Sequence, residues 1–281
     1  MLLFLLIQQS VALGASNDIV DVTLSAPATA PTFADEFHSE TIDGAKWRFD
    51  TFRNPVGWFN NELQYYSEAR PENARIEDGA LVIEARREEL TKERFADWGG
   101  QAYTSAKLVT REPYGFGFYE IRAKLPCGRG AWPAIWLLPT GEKWPDAGEI
   151  DIMEMVGWNP NVVHATLHSG AFNHAKGTQR GAQKRIATSC TAFHRYQLDW
   201  QPDAITIGVD DSAYMRVAND QPGGVAAWPF TRPYELILNL AVGGDWGGQK
   251  GIDDLAFPQR MTIDYVRYWA APNEEEQPPS G

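Results

Sequence analysis

The chain is predicted to fold as an all-β protein, two antiparallel sheets stacked face to face. Three observations carry this. No long stretch repeats its apolar residues at helical period. Twenty-five Gly and 18 Pro punctuate the sequence, breaking helices and supplying turns. The apolar residues, 43% of the chain, gather in short runs bounded by turn residues. A length of 281 residues fits one large domain or two small ones, and strands throughout favour one.

The strand runs follow in order. They are ALVIEAR (80–86), FGFYEIRAKL (116–125), GEIDIMEM (148–155), RYQLDW (195–200), AITIGVD (204–210), YELILNLAV (234–242) and MTIDYVRYW (261–269). Each alternates or runs apolar over a strand's length, and stacked antiparallel sheets are the natural assembly. Two long polar stretches, FADWGGQ (95–101) and HSGAFNHAKGTQRGAQKR (168–185), read as loops of a kind that often borders a site.

The ends differ from the middle. MLLFLLIQQSVALGASND opens with an apolar run too short to span a bilayer. Ala12 and Gly14 are small residues placed like an export cleavage site, although no Lys or Arg precedes the run. Residues 1–14 are therefore expected to be a signal peptide, 15–30 a flexible lead, 31–271 the folded domain and 272–281 a disordered, acidic, Pro-rich tail. The expected location is secreted or periplasmic. Cys127 and Cys190 lack metal-ligand spacing. They could pair in an oxidising compartment, but nothing in the sequence brings them together. The formal net charge of −12 argues against a nucleic-acid partner and against a polyanionic one; a neutral partner fits. A monomer with no membrane span is expected. Eleven Trp supply either core or flat sugar-stacking faces.

The chemistry concentrates in GEIDIMEMVG (148–157). In a regular strand Glu149 and Asp151 share one face and Glu154 takes the other. The two glutamates would then stand about 17 Å apart along the chain. A bulge at Ile152–Met153 adds one residue, returns Glu154 to the face of Glu149, and shortens the separation to about 13 Å. Side chains leaning together then approach the carboxyl spacing that retaining glycosidic cleavage needs. An edge strand of solvated acids is the bland alternative; Ile150, Ile152, Met155 and Val156 oppose it by implying a buried side. A Ca²⁺ or Mg²⁺ site is another, without the convergent loop ligands such sites show. Trp132 and Trp136 lie four apart and would share one strand face, as a stacking floor or as core.

GEIDIMEM resembles the signature of glycoside hydrolase family 16, in its laminarinase-like branch, including the extra Met of a bulged strand. FADEFHSETIDGAKW (33–47), WFNNELQYY (58–66), AWPAIWLLP (131–139), VVHATLHSG (162–170), PYELILNLAVGGDWGG (233–248) and MTIDYVRYW resemble further segments of that family. The resemblance spans the chain between its tails. It implies a β-jelly-roll with a cleft on the concave sheet, and a retaining endo-β-1,3-glucanase acting on neutral β-glucan with no catalytic cofactor.

By the same resemblance Glu149 matches the nucleophile, Glu154 the acid/base and Asp151 the assisting carboxylate. His168 matches a histidine near the acid/base. Trp132, Trp136 and Trp144 match cleft aromatics. Asn61 is the better glycan contact of its segment, with Glu62 as a brace. Asp264, near Glu36 and Gly44, matches a ligand of a structural calcium. Phe118 stands where many members carry an Arg, a departure that bears on a substrate contact. The alternatives are mixed-linkage β-1,3-1,4-glucanase, galactan hydrolase, transglycosylase, and a non-catalytic β-glucan-binding recognition protein. Both glutamates are present, which opposes the last.

Overall fold

The structure, a computed structural model, describes residues 22–272. The expected signal peptide and the tail from residue 273 lie outside the described residues. The strands are β1 (Phe33–Asp35), β2 (Trp47–Phe49), β3 (Gln64–Tyr66), β4 (Ala74–Glu77), β5 (Ala80–Arg87), β6 (Tyr103–Ser105), β7 (Lys107–Thr110), β8 (Gly117–Lys124) and β9 (Ala131–Leu138). They continue with β10 (Glu149–Glu154), β11 (Val162–His168), β12 (Arg180–Arg185), β13 (His194–Trp200), β14 (Ala204–Val209), β15 (Ser212–Ala218), β16 (Glu235–Val242) and β17 (Gln259–Ala270).

Two sheets result. A ten-stranded sheet runs β15-β14-β13-β8-β17-β5-β6-β3, with β1 on β17 and β4 on β5. A seven-stranded sheet runs β12-β11-β10-β9-β16-β7-β2. Among the described residues the strand pairs are antiparallel except β3 with β6. This is the expected sandwich, in jelly-roll form.

Alternation explains the stacking. On β16, Leu236, Leu238 and Leu240 enter the main core, as do Val163, Ala165 and Leu167 on β11 and Ile135 and Leu137 on β9. Side chains of the opposite parity turn to the outer face of the seven-stranded sheet. Each large apolar group taken fully inside contributes roughly 1.5–3 kcal/mol. The outer face is left free for Trp132, Trp136, Asn239, His164 and His168.

Four sequence expectations change or resolve here. Residues 22–30 are not a free lead. Leu24 is buried against Phe118 and Trp269, and its N–H donates to the Asp211 carbonyl. The same cluster places Phe118 on the ten-stranded sheet, so the Phe-for-Arg departure removes no contact on the site-bearing sheet. The polar stretch 168–185 is not all loop: Arg180–Arg185 form β12, which pairs with β11 along its length. Its polar composition follows from its place at the sheet edge. Cys127 and Cys190 are joined as a disulfide, Cα–Cα 5.8 Å.

Candidate active site

The residue before β10 stands where only glycine fits. Gly148 has φ +89, and a Cβ there would meet the Tyr234 hydroxyl at 2.3 Å. Glu149 follows on the outer face, Ile150 in the core, and Asp151 on the outer face again. The ladder then slips. On β9, Asp151 lies opposite Trp136 and Met153 opposite Ile135. On β11, Asp151 lies opposite Thr166 and Glu154 opposite His164. One residue of β10 is extra, and both Ile152 and Met153 go into the core. The bulge sits where the sequence placed it. It returns Glu154 to the outer face, so that Glu149, Asp151 and Glu154 stand opposite His168, Thr166 and His164 in turn.

His168 Nε2 lies 3.7 Å from Glu149 Oε1 and 3.4 Å from Asp151 Oδ2. Trp144 packs on His168 with ring centroids 5.9 Å apart. On the other side, Trp132 Nε1 donates to Glu154 Oε1 at 3.0 Å. The structure thus puts His168 beside Glu149 and Asp151, and Trp132 beside Glu154; the expectation had His168 near the acid/base. Trp136 is half-buried on the same face and donates from Nε1 to Asn239 Oδ1 at 2.7 Å. Neither Trp132 nor Trp136 belongs to the main core.

The three acids cannot all ionise freely. Burial pushes the Glu149 carboxyl up to about 8, with the Asp151 charge adding to it and His168 and Trp144 pulling back. Burial likewise raises Glu154 to about 8, again reinforced by Asp151 and opposed by the Trp132 donor. Asp151 is raised to about 8 by burial. For Glu149 and Glu154 burial is the larger cause and the Asp151 charge the smaller, and both oppose joint ionisation of the acids.

The outer residues rearrange the expectations. Asn61 is exposed and donates to Asp245 Oδ1 at 2.9 Å, fastening its loop to the helical turn Gly244–Gly247. Glu62 points inward. Gln64 donates to it, burial raises its carboxyl, and its charge is felt by Glu154. Of the two, Glu62 stands nearer the acids. The expected calcium ligand Asp264 lies on the ten-stranded sheet, away from the acids. Asp264 pairs with Arg122, and Glu36 accepts both arms of Arg267 at 2.8 and 2.9 Å.

Several site residues carry weak or no sequence signal. Trp246 rides on the 244–247 turn, edge-on to Trp132 at 5.5 Å and to His164 at 4.9 Å. Trp158 holds it by donating to the Trp246 carbonyl. His174 stacks on Trp144 at 4.8 Å. Lys107, paired with Asp50 at 2.9 Å, lies 5.1 Å from the rings of both Trp58 and Trp136.

A carboxyl pair that burial keeps from ionising together, bordered by tryptophans on an open sheet face, meets the needs of glycosidic-bond cleavage. The class of protein is that of a glycoside hydrolase. Comparison with known proteins agrees: the profile of Glycosyl hydrolases family 16 matches residues 61–267, and the chain belongs to that family. It is 48% identical over 272 residues to a beta-glucanase of Rhodothermus marinus, covering 92% of each chain. The crystal structure of the laminarinase from Rhodothermus marinus superposes with a TM-score of 0.80 at 48% identity, covering 87% of this chain and 98% of that one. SCLam, a non-specific endo-beta-1,3(4)-glucanase, superposes with a TM-score of 0.83 at 51% identity, covering 88% and 93%. Among the described residues no helix is long and apolar enough to cross a membrane.

Proposed function

We propose that the protein is a retaining endo-β-1,3-glucanase, secreted or periplasmic, acting on neutral laminarin-type glucan. The bulge carries this reading, because it returns Glu154 to the face of Glu149. Glu149, as carboxylate, attacks the anomeric carbon. The bond from that carbon to the leaving oxygen breaks, and Glu154 gives that oxygen its proton. His168 and Trp144 favour the Glu149 anion. Trp132 occupies Oε1 of Glu154, leaving the other oxygen to carry the proton. Once the glycosyl ester forms, Glu149 is neutral, and Glu154 loses its proton more readily. It then takes a proton from water, whose oxygen attacks the anomeric carbon and frees Glu149. No cofactor enters these steps.

A second reading extends the substrate to mixed-linkage β-1,3-1,4-glucan. It is favoured by the 51% identity to an enzyme described as a non-specific endo-beta-1,3(4)-glucanase. The test is reducing-sugar release from laminarin, barley mixed-linkage glucan, agarose and κ-carrageenan, with Glu149→Gln as control. Release from laminarin with a ladder of short products supports the first reading, and comparable release from barley glucan the second. Release from a galactan alone would overturn both. Laminarin bound but uncut by wild type would favour the recognition-protein alternative.

A further inference from the structure

Four apolar side chains on one segment are largely exposed to solvent: Phe52, Val56, Phe59 and Leu63. Phe52 is 66% and Phe59 60% exposed, unusual for rings of their size. Their segment, residues 52–63, carries consecutive left-handed residues, Asn60 and Asn61, each with φ 55. It is anchored at its C-terminal end. Leu63 donates its N–H to the Val242 carbonyl, and Asn61 ties to Asp245.

This patch continues the site-bearing face. From Trp136, one path runs through Asn239, which donates to the Tyr66 hydroxyl at 2.9 Å. Tyr66 meets the Trp58 ring at 4.7 Å, and Trp58 meets Phe52 at 5.6 Å. A second path runs from Trp136 through Lys107 to Trp58. Arg53 lies 4.6 Å over the Phe59 ring, fixing that ring while its other face stays open. In strand order, β10, β9, β16, β7 and β2 are successive neighbours, and Phe52 follows β2. Four steps at the usual strand spacing put Phe52, just beyond β2, about 19 Å from the catalytic strand.

We propose that Phe52 and Phe59 form an outlying stacking platform for the distal sugars of a long neutral β-glucan chain whose cut bond lies at β10. This rests on the glucanase reading and adds to it that affinity depends on chain length. A short oligosaccharide seated at the acids ends before the platform, whereas a polymer reaches it. Aromatic rings bind the apolar faces of sugars without charge. Continuity with the face that holds the acids selects the glucan over a second copy of the chain as occupant.

The test compares kcat/KM on laminarin with kcat/KM on laminaritriose for wild type, Phe52→Ala/Phe59→Ala and Phe52→Tyr/Phe59→Tyr. The Ala pair should lower the laminarin-to-triose ratio roughly 3- to 10-fold, mainly through KM on the polymer. The Tyr pair keeps the rings and should keep the ratio. A ratio unchanged in the Ala pair, including one where both substrates weaken together, overturns the platform while leaving the glucanase reading intact. Wild type inactive on both substrates overturns that reading itself. A halved sedimentation mass in the Ala pair, with the ratio unchanged, would assign the patch to contact between copies and overturn the platform.

Discussion

Glu149→Gln should make the protein more stable, and increasingly so as pH rises. Burial first, then Asp151 and Glu154, hold the Glu149 carboxyl at about 8 against an ordinary 4.5. The unfolded chain loses that proton near the ordinary value. Between the two values the folded state binds more protons than the unfolded state, so stability falls as pH rises through that window. Below it the folded site is protonated and nothing is lost. One unit corresponds to about 1.36 kcal/mol, so the full shift would amount to about 5 kcal/mol for an isolated group. Asp151 and Glu154 share the same repulsion, so removing one acid recovers a part, about 1–3 kcal/mol. For a domain of this size that raises Tm by about 3–10 °C. Scanning calorimetry of wild type and Glu149→Gln from about pH 4 to about pH 8 reads the effect directly. The two curves should nearly meet at the acid end and separate toward the alkaline end. A separation constant across that range, or one that shrinks as pH rises, would refute burial of ionisable acid as the cause.

Three further outcomes follow from the same geometry. Glu154→Ala should lower kcat by about 10²–10⁴-fold on glucan, with azide restoring turnover of activated glycosides as the β-glycosyl azide; an α-azide would assign Glu154 the nucleophile's role instead. Trp132→Phe removes the N–H that favours ionised Glu154, so the alkaline limb of the kcat profile should move to higher pH; a limb moving lower contradicts that hydrogen bond. Cys127→Ser releases a cross-link between residues 63 apart and should cost about 4 kcal/mol by loop entropy, read as a lower urea midpoint that reductant reproduces in wild type; an unshifted midpoint would show that the link contributes nothing.

The strands easiest to read were those whose two faces meet different surroundings. β17 alternates buried Met261 and Ile263 with half-buried Thr262 and Asp264, and its period is plain. β12 was read as loop because an edge strand with one neighbour exposes Gln183 and Arg185, and polarity there says nothing about pairing. β1, β2, β3 and β6 are three residues each, too short for a period to form. Leu24 was assigned to a flexible lead because a single apolar residue among polar ones predicts no partner; Phe118 and Trp269 come to it from distant strands. The acids were legible because they sit on one strand. Trp246, His174 and Lys107 come from separate elements and join the site through tertiary packing alone.

The bulge is the point at which sequence, packing and chemistry impose one requirement. Ile152 and Met153 are adjacent, and both are fully buried. A regular strand must turn one of two adjacent side chains outward, which here would expose a large apolar group or bury Glu154 among leucines and isoleucines. Burial of an unpaired carboxylate in such a core costs several kcal/mol. Admitting one unpaired residue costs a local break in the ladder, and the apolar pair and the acid then each reach the favoured side. The adjacency of two apolar residues before Glu154 therefore specifies the bulge on packing grounds alone, before any catalytic need is considered. The return of Glu154 to the face of Glu149 follows from it. A variant that lets strict alternation return at unchanged length, such as Met153→Thr, whose side chain can face outward, should lose activity because Glu154 would turn inward, even with every catalytic side chain still in the sequence.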